Sequence, residues 1–416
     1  MAFSPFAIRK VFVNPESAFA SSSATEGDYI RVPVVNPDWK PTEGTIERAV
    51  AQSRLTSHSA IVGRKGGTFT FRVHLEGLTT NDGAAQVTVT PWLDECLLAC
   101  GLTKLAGTGL EKTGVDSDAD DVVLASTAAA KFKLGGMLGY KLDSDGLLYT
   151  RLIKQIATTT VTVKPPWTSG SADLDSIVTS GGDLTIFSPA TYWAQDGLAA
   201  PLGNGVISDP GTVSFVVVGS GYEFTLKGCR GNVKLLGEGE TAMLEFTFQV
   251  CSFATSSLAP TASMPTAKTS LTLPGNAKVW WGDDVAATAD TIPCRDVAFD
   301  FGVQLAEKAA DQGTEGRAGW AVTGHKPVAS FKPYWDTAFL TAKSAASAYL
   351  FAFQIGTSPT NCVSVGLNKA QIVDYPAPED LGGLVGQSIN LTAVDAGTAT
   401  LDGTATQMPD AVMCFF

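Results

Sequence analysis

Three stretches of this chain alternate apolar and polar residues with a period of two, and that period constrains its fold more than any other feature. In Thr68-Phe69-Thr70-Phe71-Arg72-Val73-His74-Leu75-Glu76, Phe69, Phe71, Val73 and Leu75 fall on one side. Thr70, Arg72, His74 and Glu76 fall on the other. Successive side chains of a strand point to opposite faces, so this predicts a strand with one buried and one polar face. Tyr222 to Lys227 alternates in the same way, with Glu223, Thr225 and Lys227 on one side. So does Ala242 to Val250, with Glu245 and Thr247 on its polar side. Gly228 to Gly231 and Gly237 to Gly239 punctuate these runs as turns or bulges, with Arg230 and Asn232 beside the first. Convincing helices are few. One runs from Trp92 to Leu102, entered through Pro91 and ending near Gly101; another lies near Asp336 to Ala346. The class is mainly β with a little α.

The chain divides by composition. Residues 1–44 are Pro/Ser-rich with little periodicity and read as an N-terminal arm. Residues 45–102 and 216–255 form a first, discontinuous domain. Residues 103–215 read as an insertion of loops and a small β module, Lys131 to Val163, with a turn at Asp143-Ser144-Asp145-Gly146 and a loop from Pro165 to Gly182. Residues 256–266, rich in Ser, Thr, Ala and Pro, read as a linker, and 267–416 as a second domain. An internal repeat is expected. The Gly63-Arg64-Lys65 corner leads into a strand with aromatics, and Gly324-His325-Lys326 does the same. Pro91-Trp92-Leu93-Asp94 and Pro333-Tyr334-Trp335-Asp336 then open short helices.

Composition and motifs exclude several classes. Hydrophobic residues make up 44% of the 416 and charged residues 17%, the reverse of a disordered chain. The net charge of −12 argues against a general nucleic-acid binder, which needs a basic face. No apolar run approaches the ~18 residues of a membrane helix, and no apolar segment follows a basic start, so a chain made and kept in a cytoplasm is expected. The seven cysteines are scattered and read as buried thiols; Cys96 and Cys100, four apart, lack a second metal-ligand pair. Three histidines, His58, His74 and His325, lie far apart, and no nucleotide-loop, zincin or nucleophile-elbow motif occurs. Asp116 to Asp121 mimics the start of a calcium loop but has Asp121 and Thr127 where Gly and Glu are needed. Asn390-Leu391-Thr392 is a glycosylation sequon without a secretory signal. No enzyme activity, cofactor or metal is expected.

The segment Gly221 to Leu235, followed by Gly239 to Phe248, resembles the tail tube (major tail) proteins of long-tailed bacteriophages. The resemblance extends to Lys10-Val11-Phe12-Val13 with Glu16-Ser17, to Ile46-Glu47-Arg48 and to the Gly63-Arg64-Lys65 corner. It implies tandem β-sandwich or split-barrel domains with one short helix each, plus the inserted β module. It implies rings stacked into a tube through which the phage genome passes. Single-domain members form hexameric rings; a duplicated chain implies three copies in a pseudo-sixfold ring. The second half carries Gly366-Leu367-Asn368-Lys369 in place of the Gly-Cys-Arg-Gly-Asn cluster. The implied partners are further copies of the chain, tail terminator, tape measure and distal tail proteins, and double-stranded DNA that passes without specific binding, with no membrane. The implied location is the virion tail, after synthesis in the host cytoplasm. Inner-barrel or interface candidates are Thr70, Arg72, His74, Glu76, Glu223, Thr225, Lys227, Arg230, Asn232, Glu245 and Thr247. An acidic lumen is expected to repel phosphate, and the arm to reach an adjacent ring. The alternatives are another virion β protein (tail terminator, head-completion or decoration protein) and a carbohydrate-binding β-sandwich using Trp280 and Trp281.

Overall fold

A computed structural model describes residues 8–20, 24–46, 61–78, 89–107, 109–112, 121–124, 131–142, 147–164, 184–194, 211–238, 241–265, 271–273, 277–282, 292–314, 316–358 and 360–416. His58, the acidic loop through residue 120, the turn at 143–146 and the loop at 165–182 lie outside them.

The first half opens with β1 (Ile8–Pro15), β2 (Ile30–Val32) and a long hairpin, β3 (Val35–Ile46) and β4 (Ile61–His74). Helix α1 (Pro91–Ala99) and β5 (Leu102–Leu105) follow. Then come β6 (Gly109–Lys112), β7 (Asp121–Val123), β8 (Met137–Leu142), β9 (Leu148–Ala157), β10 (Thr160–Lys164), β11 (Leu184–Ser188) and β12 (Ala190–Ala194). β13 (Val213–Gly219), β14 (Glu223–Glu238), β15 (Thr241–Val250) and β16 (Ser252–Thr255) end this half. The second half holds β17 (Ala277–Gly282), β18 (Cys294–Asp300), the hairpin β19 (Val303–Thr314) and β20 (Arg317–His325), β21 (Val328–Pro333) and helix α2 (Thr337–Ser344). It continues with β22 (Ala348–Ser358), β23 (Asn361–Ile372), β24 (Pro378–Asp380), β25 (Val385–Gln387) and β26 (Ile389–Ala393). β27 (Thr398–Leu401), β28 (Thr404–Gln407) and β29 (Ala411–Phe415) complete the chain.

The fold is mainly β, as the alternation predicts. The apolar sides of β4, β13 and β15 meet in one aromatic cluster: Phe69, Phe71, Phe215, Phe246 and Phe248 are all buried. The Phe71 ring lies 5.3 Å from Phe246 and 5.2 Å from Phe69. Burying one such side chain contributes roughly 1.5–3 kcal/mol. Helix α1 starts at Pro91, where the missing N–H costs no bond, and buries Trp92, Leu93, Cys96 and Leu97. Helix α2 starts where the Asp336 carboxylate accepts from the Ala338 N–H at 2.8 Å, satisfying an otherwise free donor.

Pairing in the two halves runs in parallel. In the first, β1 pairs with β13, β13 with β14, β14 with β15, β15 with β4 and β4 with β3. In the second, β17 pairs with β22, β22 with β23, β23 with β26, β26 with β21 and β21 with β18. All are antiparallel, and a helix follows both β4 and β21. The halves join where Lys234 to Gly237 of β14 pair with Asp300 to Val297 of β18.

Residues 8–44, expected as an arm, supply strands instead. β1 pairs with both β13 and β2, and β3 pairs with β4. Pro37 and Pro41 and a bulge between Val35 and Asp38 mask the period of β3. Proline is tolerated there because β3 lies at a sheet edge. The expected insertion is shared out: β12 pairs with β5 and with the last strand β29, and β13 joins the main sheet. The remaining strands β6 to β11 form a second sheet, which the second half completes with the hairpin β27–β28. Its core includes Leu138, Ile153, Ile156, Val161 and Ile186. Gln354, fully buried, fastens it to the main sheet: its side-chain amide donates to the carbonyls of Leu148 and Gly356, each at 2.8 Å, and accepts from Thr150 at 3.0 Å. The expected linker lays Leu258 and Ala262 against Phe12, Tyr29 and Val216.

Candidate assembly face

Six strands, β4, β15, β14, β18, β21 and β26, run side by side across both halves. One face of this sheet packs on the core through Val73, Leu244, Leu235, Phe299, Ala329 and Leu391. The other is polar and half-buried, and register arranges it in rows. One row reads Arg72, Glu245, Lys234, Asp300, Val328, Thr392. The next reads His74, Met243, Leu236, Ala298, Ser330, Asn390. Thr70, Thr247 and Asn232 begin a third.

The first row alternates in sign. Arg72 Nε lies 2.7 Å from Glu245 Oε2, and Lys234 Nζ lies 3.1 Å from Asp300 Oδ2. Each part-exposed pair is worth only about 0.2–1 kcal/mol, but four like charges in these places would repel. Asn232 ties the halves together: its amide donates to Asp300 Oδ1 at 2.6 Å and accepts from the Val303 N–H at 3.1 Å. Over the second half the face hollows into a groove of about 450 Å³, lined by Lys234, Leu236, Asp300, Ser330, Asn390 and Thr392. The acidic excess of the chain is thus not carried by the charged row, where two cations meet two anions.

Of the residues singled out in the sequence, Thr70, Arg72, His74, Asn232, Glu245 and Thr247 share this face. Glu76 lies just past the end of β4. Glu223, Thr225 and Lys227 precede Gly228, whose φ of 63° marks a break in β14. There β14 pairs with β13 and β16 rather than with β15. Thr225 is buried, and Glu223 accepts from the Ala259 N–H at 3.3 Å. Arg230, expected at an interface, is 1% exposed, and its Nη1 donates to the Trp320 carbonyl at 2.5 Å. It keeps the polar side of β14, in a row with Gln249 and Thr68, and is covered there by β20. Lys234, Asp300, Ser330 and Asn390 were missed. The alternation of Asn232, Lys234 and Leu236 signals the first, but nothing local reveals that β14 meets β18.

Trp280 is buried against the second sheet, and Trp281 packs edge-on against Tyr349 at 5.1 Å. The buried Trp280 ring forms no open platform for a sugar. Burial pushes the thiols of Cys96, Cys100 and Cys229 well up, Cys96 and Cys100 lying on and just after α1. Among the described residues, no group of three or more His, Cys, Asp or Glu side chains is placed to hold a metal ion, and no helix is long and apolar enough to cross a membrane. No protein family profile matches the chain, and no curated protein matches it.

Proposed function

We propose that this chain is a structural subunit that closes into rings, which stack as the tail tube of a long-tailed bacteriophage. The observation that carries the reading is the run of six strands in the main sheet that crosses both halves, core-packed on one face and largely polar on the other. A ring of such sheets makes a barrel whose inner wall is the polar face, with no free edge left. The parallel pairing of the halves supports a duplicated tube domain, and hence three copies in a pseudo-sixfold ring rather than six. The charged row suits a conduit: paired charges offer DNA neither a basic track to hold it nor a strong field. The chain acts without enzymatic chemistry. Its partners are further copies of itself, the tail terminator, tape measure and distal tail proteins, and DNA in transit; its place is the virion tail. Negative-stain microscopy of the purified protein tests this. Stacked rings are the expected result, and particles that stay monomeric at every concentration overturn it.

A further inference from the structure

We infer that the open edge beside residues 373–378 receives β3 of a second copy of this chain, in the place that β18 takes on β14 within the molecule. The inference rests on the ring reading above and names the two surfaces that meet.

The equivalence of β3 and β18 is read from their bulges. β3 runs against β4 with Val35 opposite Arg72 and then, after a register break, Asp38 opposite Thr70. β18 runs against β21 with Arg295 opposite Lys332 and then, after the same break, Ala298 opposite Ser330. The residue following the first of each pair takes positive φ: Asn36 at 48° and Asp296 at 51°. A non-glycine residue there is uncommon, so the match is specific. Asp38 therefore stands for Ala298, Lys40 for Asp300 and Phe69 for Ala329.

The same register finds the counterpart of β14. Gly231 pairs with Phe248, which pairs with Phe69. Ala329 pairs with Leu391, which pairs with Ile372. Ile372 thus stands for Gly231, Val373 for Asn232 and Tyr375 for Lys234. On β14 that edge is covered by β18. After β23, among the described residues, no strand covers it: Val373 is 47% and Tyr375 69% exposed, although both are large and apolar. Among the described residues the outer side of β3 is likewise without a paired strand there. Two uncovered edges, each equivalent to one side of a junction already made inside the chain, fit one another.

The contact between copies differs from the internal one in kind. Pro41 stands where Phe301 donates to the Val233 carbonyl at 3.4 Å, and proline has no N–H to give. Pro37, Pro376 and Pro378 remove further donors. Lys343 Nζ already donates to the carbonyls of Ile372 and Val373. Side chains therefore hold the contact, with Lys40 against the Tyr375 ring in place of the Lys234–Asp300 ion pair. Such an edge resists casual strand pairing, so copies join only where ring geometry aligns them.

The test uses full-length chains carrying Lys40→Cys or Tyr375→Cys, mixed, treated with a short bis-maleimide and imaged in parallel. Six of the native cysteines are buried and Cys294 is only partly exposed. The expected result is cross-linked dimer in the mixture and in neither variant alone. Dimer no more abundant than with Leu384→Cys in place of Tyr375→Cys overturns the contact, and if rings still form, the ring reading survives it. Dimer without rings upholds the contact and removes the tube reading. Neither dimer nor rings removes both.

Discussion

Arg72 and Glu245 face one another at 2.7 Å, with Lys234 next in the row. Glu245→Lys would put three cations side by side; a loss of about 1–2 kcal/mol in urea unfolding is expected, with part restored by Arg72→Glu in the same chain. No recovery in the double variant would contradict the pairing. Glu95 shows the opposite economy of charge. Burial, and then the neighbouring Asp94, raise its carboxyl above its ordinary value. A carboxyl raised in the folded state weakens the fold once pH passes its unfolded value, and the penalty vanishes below that value. Glu95→Gln should therefore raise the melting temperature at pH 7, with the gain fading as pH falls through the carboxylate range. A gain that persists unchanged in acid would contradict the assignment. The Asp94 carboxylate must stay for a different reason: it accepts from the Tyr192 hydroxyl at 2.6 Å and pairs with Lys104 at 2.7 Å.

At the scale of elements, the corner between β18 and β19 is the most exacting. Gly302 there takes a φ of 62°, and a Cβ on it would meet the Lys326 carbonyl at 2.1 Å. Its N–H also donates to Asp300 Oδ1 at 2.7 Å, so the corner and the charged row share a residue. Gly302→Ala should cost at least the ~1–3 kcal/mol of a strained conformation, seen as a lower urea midpoint. An unchanged midpoint would mean the corner relaxes freely. The elements legible in advance were those whose alternation is uninterrupted, β4 and β15, and the two helices, marked by Pro91 and Asp336. β3 was hidden because Pro37, Pro41 and the bulge at Asn36 break the period. Arg230 keeps the polar side of β14 but is buried beneath Trp320 of β20, a contact with a distant strand that its own segment does not encode. Asp300, Ser330 and Asn390 join the candidate face only through pairings with distant strands, which no local pattern encodes.

At the scale of the whole molecule, a buried amide helps to hold two sheets together. Gln354→Ala would leave the Leu148 and Gly356 carbonyls without this partner, while the Thr150 hydroxyl keeps Ser364 at 3.0 Å. Roughly 1–3 kcal/mol is the expected cost, read as earlier proteolysis within residues 131–164. Equal protease resistance would show that the second sheet docks without this amide. The larger question is which surface the molecule turns toward the axis of an assembly. The direct measurement is a cryo-EM map of the assembled protein. Threefold rings stacked into a tube, with Arg72, Glu245, Lys234 and Asp300 lining the channel, are the expected result. A map that puts this face on the outer surface, or that contains no tube, would contradict it.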